Sequence, residues 1–152
     1  MPASSSHDQQ FTFVIDEQVN ILVTDDDPIM REFACVYLAT PTAHVESAEN
    51  GEIGLRRLLS GHFDIVLVDL DMPVINGYEM IQRIRSDKRI GQIPIVVVTS
   101  NEDIVSIDRA YRLGATSFVT KPVNWRLLSY QLRYVLRANK VMGVDRPQAQ
   151  VA

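Results

Sequence analysis

Asp25-Asp26-Asp27, Asp69 with Asp71, Thr99-Ser100, and Lys121 before Pro122 each follow or close an apolar run, in four separate parts of the chain. Carboxylates gathered within a few ångströms repel one another and raise each other's pKa. A divalent cation removes that conflict, and Mg²⁺ suits it best, being a hard ion that takes one or two carboxylates, waters and phosphate oxygens. A hydroxyl at Thr99 and an ammonium at Lys121 could hold the remaining oxygens of a phosphoryl group. One carboxylate is then left as nucleophile, a role Asp fills in aspartyl-phosphate chemistry. Phosphoryl transfer asks a protein mainly for positioning and charge neutralisation, which this set could supply.

Each group also has a purely structural reading. Asp25 to Asp27 could cap a helix, and Asp27-Pro28 reads as an N-cap followed by Pro at the first helical position. Asp69 could be a loop carboxylate, Thr99-Ser100 a second cap, and Lys121 a solvated cation. The right chemical type at four independent strand ends is what favours the chemical reading.

The elements that must position these residues follow from hydrophobic patterning. "VNILVT", "AHVESA", "DIVLVD", "IPIVVVT" and "TSFVT" are rich in β-branched residues, are bounded by turn formers and read as strands. Between them lie segments of helical spacing: Ile29, Phe33, Val36 and Tyr37 share one face, as do Leu55, Leu58 and Leu59, and Ile104, Ile107 and Tyr111. Tyr78 to Arg85 and Asn124 to about Lys140 supply the remaining helices. Strands alternating with helices imply an α/β fold, a parallel sheet covered on both faces, with "IVLV" and "IVVV" central. Ligands of such sheets bind beyond the carboxyl ends of the strands, where the acidic groups fall.

The chain has 152 residues, 46% of them hydrophobic, enough for one domain with a core. Its net charge of −4 gives no reason to expect nucleic acid or an anionic membrane as direct partner. No apolar run approaches the roughly 20 residues of a membrane span, and "MPASSSHDQQ" lacks the features of a signal peptide. Cys35 is alone among apolar neighbours and is expected to be a buried thiol. A cytoplasmic protein is the simplest expectation. Residues 1–16 and 141–152 read as flexible polar tails around a domain at 17–140. The Met start, polar tail and missing linker favour a stand-alone protein.

"ILVTDDDPIMR", "VLVDLDMPVINGYEM", "IPIVVVTSN" and "GATSFVTKP" resemble, in order and spacing, the receiver domain of two-component response regulators, over about residues 18–140. The resemblance implies a flavodoxin-like (βα)5 fold with strand order 2-1-3-4-5. It implies a phosphoacceptor signalling protein rather than an enzyme, one that assists its own phosphorylation and dephosphorylation. Asp69 would receive a phosphoryl group from a histidine kinase or a histidine phosphotransfer protein. Carried over by position, Asp26 and Asp69 would bind Mg²⁺ (Mn²⁺ could substitute), Asp71 would donate its backbone carbonyl, and Asp25 would act through a water. Thr99 and Lys121 would bind opposite phosphoryl oxygens, with Pro122 after a cis peptide bond and Gly77 in the turn to the third helix. Thr99 and Phe118 would form the switch. Phe118 stands where Tyr is more usual, which removes a hydroxyl. Asp71 and Asn101 match positions that tune hydrolysis of the phosphoryl group. Thr24 precedes the acidic pair at a position where an apolar or acidic residue is frequent.

The readout is expected on helix 4, strand 5 and helix 5. Trp125, Leu128, Leu132 and Val135 mark the core side of the last helix. Leu127, Tyr130 and Tyr134 form a second apolar stripe, and Arg126, Arg133, Arg137 and Lys140 a basic one. A surface helix needs one apolar face, not two. Arg126, Tyr130, Arg133, Tyr134 and Arg137 therefore read as a face for a downstream protein or a second copy. The competing readings are a pseudo-receiver that only docks or dimerises, against which the intact acidic set counts, and a haloacid-dehalogenase-type phosphatase. "VLVDLDM" resembles that superfamily's Asp-x-Asp motif, but there the nucleophile precedes the acidic pair, whereas here it follows. Neither G-x-G-x-x-G nor G-x-x-x-x-G-K is present for a nucleotide, and no Ser/Thr/Gly-rich loop follows the first strand for a flavin.

Overall fold

The structure, a computed structural model, describes residues 13–144. Strands β1 (Val19–Thr24), β2 (Ala43–Ala48), β3 (Ile65–Val68), β4 (Ile95–Thr99) and β5 (Ser117–Thr120) alternate with helices α1 (Pro28–Leu38), α2 (Gly51–Ser60), α3 (Gly77–Ser86), α4 (Ile104–Leu113) and α5 (Trp125–Val144). The five strands form one parallel sheet, as the alternation of elements implies, in the order β2-β1-β3-β4-β5 that the resemblance implies.

Period-2 alternation divides the central strands between two cores. Ile65, Leu67, Val96 and Val98 pack with Ala34 and Leu38 of α1 and Leu128, Leu132 and Val135 of α5. Val66, Val68, Ile95 and Val97 pack with Leu55 and Leu58 of α2, Met80, Ile81 and Ile84 of α3, and Ala110 of α4. Burying each of these larger aliphatic side chains contributes roughly 1.5–3 kcal/mol. Register then sets the edge that carries the acidic residues. Thr24 lies opposite Val68, and Val68 opposite Val97, so β4 runs two residues further and ends at Thr99 opposite Thr120. Asp25, Asp69 and Lys121 are the residues that follow their strands.

Asx caps start the helices. The side chains of Asp27, Asn50, Asn76 and Asp103 accept from Ile29, Ile53, Glu79 and Ser106 backbone N–H groups, and Asn124 accepts from Leu127. The cap of α4 is therefore Asp103, which sets aside the reading of Thr99-Ser100 as a cap.

Several expectations need correction. Ile29, Phe33, Val36 and Tyr37 do share one face of α1, but it points to solvent, with Ile29 59% and Val36 66% exposed. The core contacts of α1 are Ala34 and Leu38, one position round. In α4 Ile104 and Tyr111 are likewise exposed and Ala110 is buried, and in α2 Leu59 is exposed beside buried Leu55 and Leu58. Cys35 is only half-buried, at the side of α1 where Ser47 of β2 hydrogen-bonds its thiol. Val14 and Ile15, inside the stretch expected as a tail, are buried, Ile15 within the α1/α5 core. Helix α5 continues to Val144, past the expected boundary at 140. Residues 1–12 and 145–152 of the two expected tails lie outside the described residues.

Candidate functional site

The site forms because four adjacent parallel strands, β1, β3, β4 and β5, end side by side. The Asp69 N–H donates to the carbonyl of Thr24 at 3.0 Å, and the Lys121 N–H donates to the carbonyl of Thr99 at 2.8 Å, which fixes where both side chains leave the sheet. The Lys121-Pro122 peptide is cis, as the resemblance implies. Lys121 Nζ then reaches Asp25 Oδ2 at 2.9 Å and Asp69 Oδ2 at 3.1 Å. The second oxygens are also used: Asp25 Oδ1 accepts from Asp27 N at 2.9 Å, and Asp69 Oδ1 from Asp71 N at 3.3 Å.

Gly77 opens α3 directly against this strand end. Its N–H donates to the Leu70 carbonyl at 2.9 Å, and a Cβ there would overlap the Asp69 carbonyl oxygen and come within 2.6 Å of Leu70 Cα. Only glycine lets the helix start so close to the strand end.

Charge at the site is unevenly compensated. Burial pushes the Asp25 carboxyl above the usual carboxylate range, and the hydrogen bond from Lys121 only partly opposes it. For Lys121 burial works against the ammonium, but the hydrogen bond to Asp25 and the charges of Asp69 and Asp25 outweigh it and raise its pKa. The Lys121 ammonium thus pairs with two of three clustered carboxylates and leaves Asp26 unpaired. Asp25, Asp26 and Asp69 each offer an oxygen, all within 4.8 Å of one another. Asp25 and Asp69 are buried while Asp26 is exposed, and Asp26 makes no side-chain hydrogen bond or ion pair with another described residue. An all-oxygen set with one uncommitted carboxylate and surplus negative charge fits a hard divalent cation such as Mg²⁺.

Thr99 is fully buried and its Oγ accepts weakly from Asn101 N at 3.4 Å. Phe118 is half-buried against the α2/α3/α4 core, its ring 6.4 Å from that of Tyr111. The side chain of Asp71 is exposed at the mouth of the site.

A family profile for the response regulator receiver domain matches residues 21–133, the span holding the acidic set, Thr99 and Lys121.

The chain belongs to the receiver domain family.

Curated relatives agree. The transcriptional regulatory protein AfsQ1 of Streptomyces coelicolor is 32% identical over 126 residues, which cover 83% of this chain and 55% of that protein. A cyclic di-GMP phosphodiesterase of Thermotoga maritima is 33% identical over 128 residues, 84% of this chain and 33% of that protein. The receiver thus spans about half the length of the first and a third of the second. Among solved structures, the chemotaxis protein CheY4 of Vibrio cholerae superposes with a TM-score of 0.73 at 26% identity, covering 78% of this chain and 98% of that one. A putative response regulator from Chloroflexus aurantiacus gives 0.75 at 26% identity, covering 80% and 99%. The protein is a response regulator receiver of a two-component system, a family that works with histidine kinases and downstream targets and binds Mg²⁺ at an acidic pocket. No described helix is long and apolar enough to cross a membrane.

The expected partner face of this receiver is on the surface of α5. Tyr134 is 75% exposed, and the Tyr130 ring lies between the guanidinium groups of Arg126 and Arg133, 5.6 and 4.8 Å from its centroid. Arg137 pairs with Glu17 at 3.3 Å. Sequence reasoning missed Arg31, whose Nη1 donates to the Asp25 carbonyl at 2.8 Å. Its place one turn into the helix that follows the acidic run is the signal that could have found it. It also missed Arg109 of α4, stacked on Tyr78 of α3.

Proposed function

We propose that Asp69 accepts a phosphoryl group from the phosphohistidine of a kinase or phosphotransfer protein. The observation that carries this reading is the meeting of buried Asp25 and Asp69 on one ammonium beside the uncommitted carboxylate of Asp26. A carboxylate oxygen of Asp69 forms the new P–O bond as the donor P–N bond breaks, its electron pair leaving with the imidazole. Lys121, already within hydrogen-bond reach of Asp69, pairs with a phosphoryl oxygen, and the Thr99 hydroxyl takes another. Asp26, Asp69 and the Asp71 carbonyl would hold Mg²⁺, with Asp25 acting through a water. When bound, Mg²⁺ supplies positive charge to the phosphoryl oxygens. Asp71, at the mouth, and Asn101, whose N–H donates to the Thr99 hydroxyl, would tune hydrolysis.

Recruitment of Thr99 toward the phosphoryl group would draw Phe118 inward and alter the α4–β5–α5 surface. Leu127, Tyr130 and Tyr134 are exposed there, and the two tyrosines line a cleft of about 530 Å³ with Pro94, Ser117 and Val135. A downstream protein or a second copy would bind this face through Arg126, Tyr130, Arg133, Tyr134 and Arg137. The functional unit is taken to reach from Val14 to Val144.

Incubation with Mg²⁺ and acetyl phosphate, read by intact mass, tests the acceptor role. One added phosphoryl group is expected, absent in Asp69→Asn and in EDTA. No addition with any donor would leave a docking module as the function. Replacing Tyr130 and Tyr134 with Ser tests the output face: unchanged oligomeric state and target binding in both phosphorylation states would reject it.

A further inference from the structure

We propose that Arg109 is a specificity-determining residue that favours acyl phosphates over amidophosphates as small phosphodonors to Asp69. The inference rests on the phosphoacceptor reading of Asp69 and adds a donor preference to it.

Beside the strand ends is a cleft of about 520 Å³ whose lining includes Asp26, Asp71, Asn76, Tyr78 and Arg109. Of the side chains lining it, Arg109 is the one cation, set against two carboxylates. Its guanidinium lies 4.0 Å from the centroid of the Tyr78 ring. Stacking on an aromatic face holds the planar group in place and leaves its edge donors free for another partner. No described carboxylate uses them: Glu79, on the same helix as Tyr78, pairs instead with Arg83 at 3.6 Å. Arg109 is thus an oriented and unneutralised cation sharing a cleft with the acidic mouth of the site.

The chemistry of the leaving group decides which donor gains. With an acyl phosphate, an Asp69 oxygen bonds to phosphorus while the bridging P–O bond breaks. The bridging oxygen takes the electron pair and departs as a carboxylate, with no proton needed. Negative charge therefore grows on the leaving group as it passes Asp26 and Asp71, and Arg109 offsets it where it forms. With phosphoramidate the P–N bond breaks and the already protonated nitrogen leaves as neutral ammonia. Arg109 gives that reaction no comparable assistance.

The test compares rate constants for phosphorylation by acetyl phosphate and by phosphoramidate in Mg²⁺, from intact-mass time courses on wild type, Arg109→Gln and Arg109→Lys. Since Arg109 is exposed, the expected loss for Arg109→Gln with acetyl phosphate is about threefold to fivefold. The phosphoramidate rate should hold, Arg109→Lys should recover part of the loss because it keeps the charge without the stacked plane, and added salt should shrink the wild-type preference. A fall of equal size with both donors would assign Arg109 a structural role through Tyr78 and overturn the inference. So would an unchanged ratio, or a wild type that accepts from phosphoramidate alone. A wild type that accepts from neither donor would instead sink the acceptor reading, and this inference with it.

Discussion

Lys121 Nζ stands 3.1 Å from Asp69 Oδ2, so one ammonium joins the end of β5 to the end of β3, and at 2.9 Å it also holds Asp25 after β1. Removing it leaves buried carboxylates facing one another. Lys121→Met should lower stability in EDTA by about 1–3 kcal/mol, because the remaining charges lose their partner in a poorly solvated place. Denaturant unfolding measures the loss, and added Mg²⁺ should restore part of it.

Asp25 should act in the opposite sense. Burial raises its folded pKa above the unfolded value, so the folded state holds the proton more tightly. Its contribution to stability therefore declines as pH rises from the ordinary aspartate value of 3.8 through the raised one. Asp25→Asn should remove that decline and raise the unfolding midpoint of the metal-free protein at pH 7. Lys121 governs the alkaline side: its folded pKa is also raised, so its contribution is complete below the unfolded value and disappears as pH climbs through the folded one. Thermal unfolding across pH in EDTA checks both.

Thr24 carries a cost with no visible return in the fold. Among the described residues its Oγ1 is the buried side-chain polar atom without a hydrogen-bond partner, enclosed near Gly54 and Met80. Valine has nearly the same shape and no hydroxyl to desolvate. Thr24→Val should stabilise the protein by about 1 kcal/mol in denaturant unfolding.

Gly77→Ala should be damaging out of proportion to one methyl group. The added Cβ meets backbone, the Asp69 carbonyl and Leu70 Cα, so no side chain can swing aside. A destabilisation of about 1–3 kcal/mol is expected, with slower phosphorylation because the displaced segment carries Asp69. Gly61→Ala, where the nearest atom is Phe63 Cε2 at 3.2 Å, is the milder control.

The sheet was legible because β3 and β4 are short apolar β-branched runs, and each strand end carries its chemistry within a residue or two. The caps at Asp27 and Asn76 lie in the motifs themselves. Which side of α1 meets the core was not legible. Periodicity finds the stripe of Ile29, Phe33, Val36 and Tyr37, but cannot tell a core stripe from an exposed one. The helix packs instead through Ala34 and Leu38, while Tyr37 stacks on Trp125 of α5. Arginines were hidden for a related reason. Nothing in the sequence sets Arg85 apart, yet its side chain donates to the carbonyls of Gly91 and Gly114, 6 and 29 residues away. Burial there holds its pKa below the usual value. Local pattern carries no trace of acceptors so distant. Val14 and Ile15 were lost because two apolar residues cannot outweigh the polar run before them.

The most direct test of the account is to locate the phosphoryl group. After phosphorylation in Mg²⁺, borohydride reduces an aspartyl phosphate to homoserine, and peptide mass spectrometry then identifies the residue converted. The account predicts conversion at Asp69 alone, lost in Asp69→Asn and in EDTA. Conversion at Asp25, Asp26 or Asp71 in the wild type, or none in a protein that has gained a phosphoryl group, would contradict it.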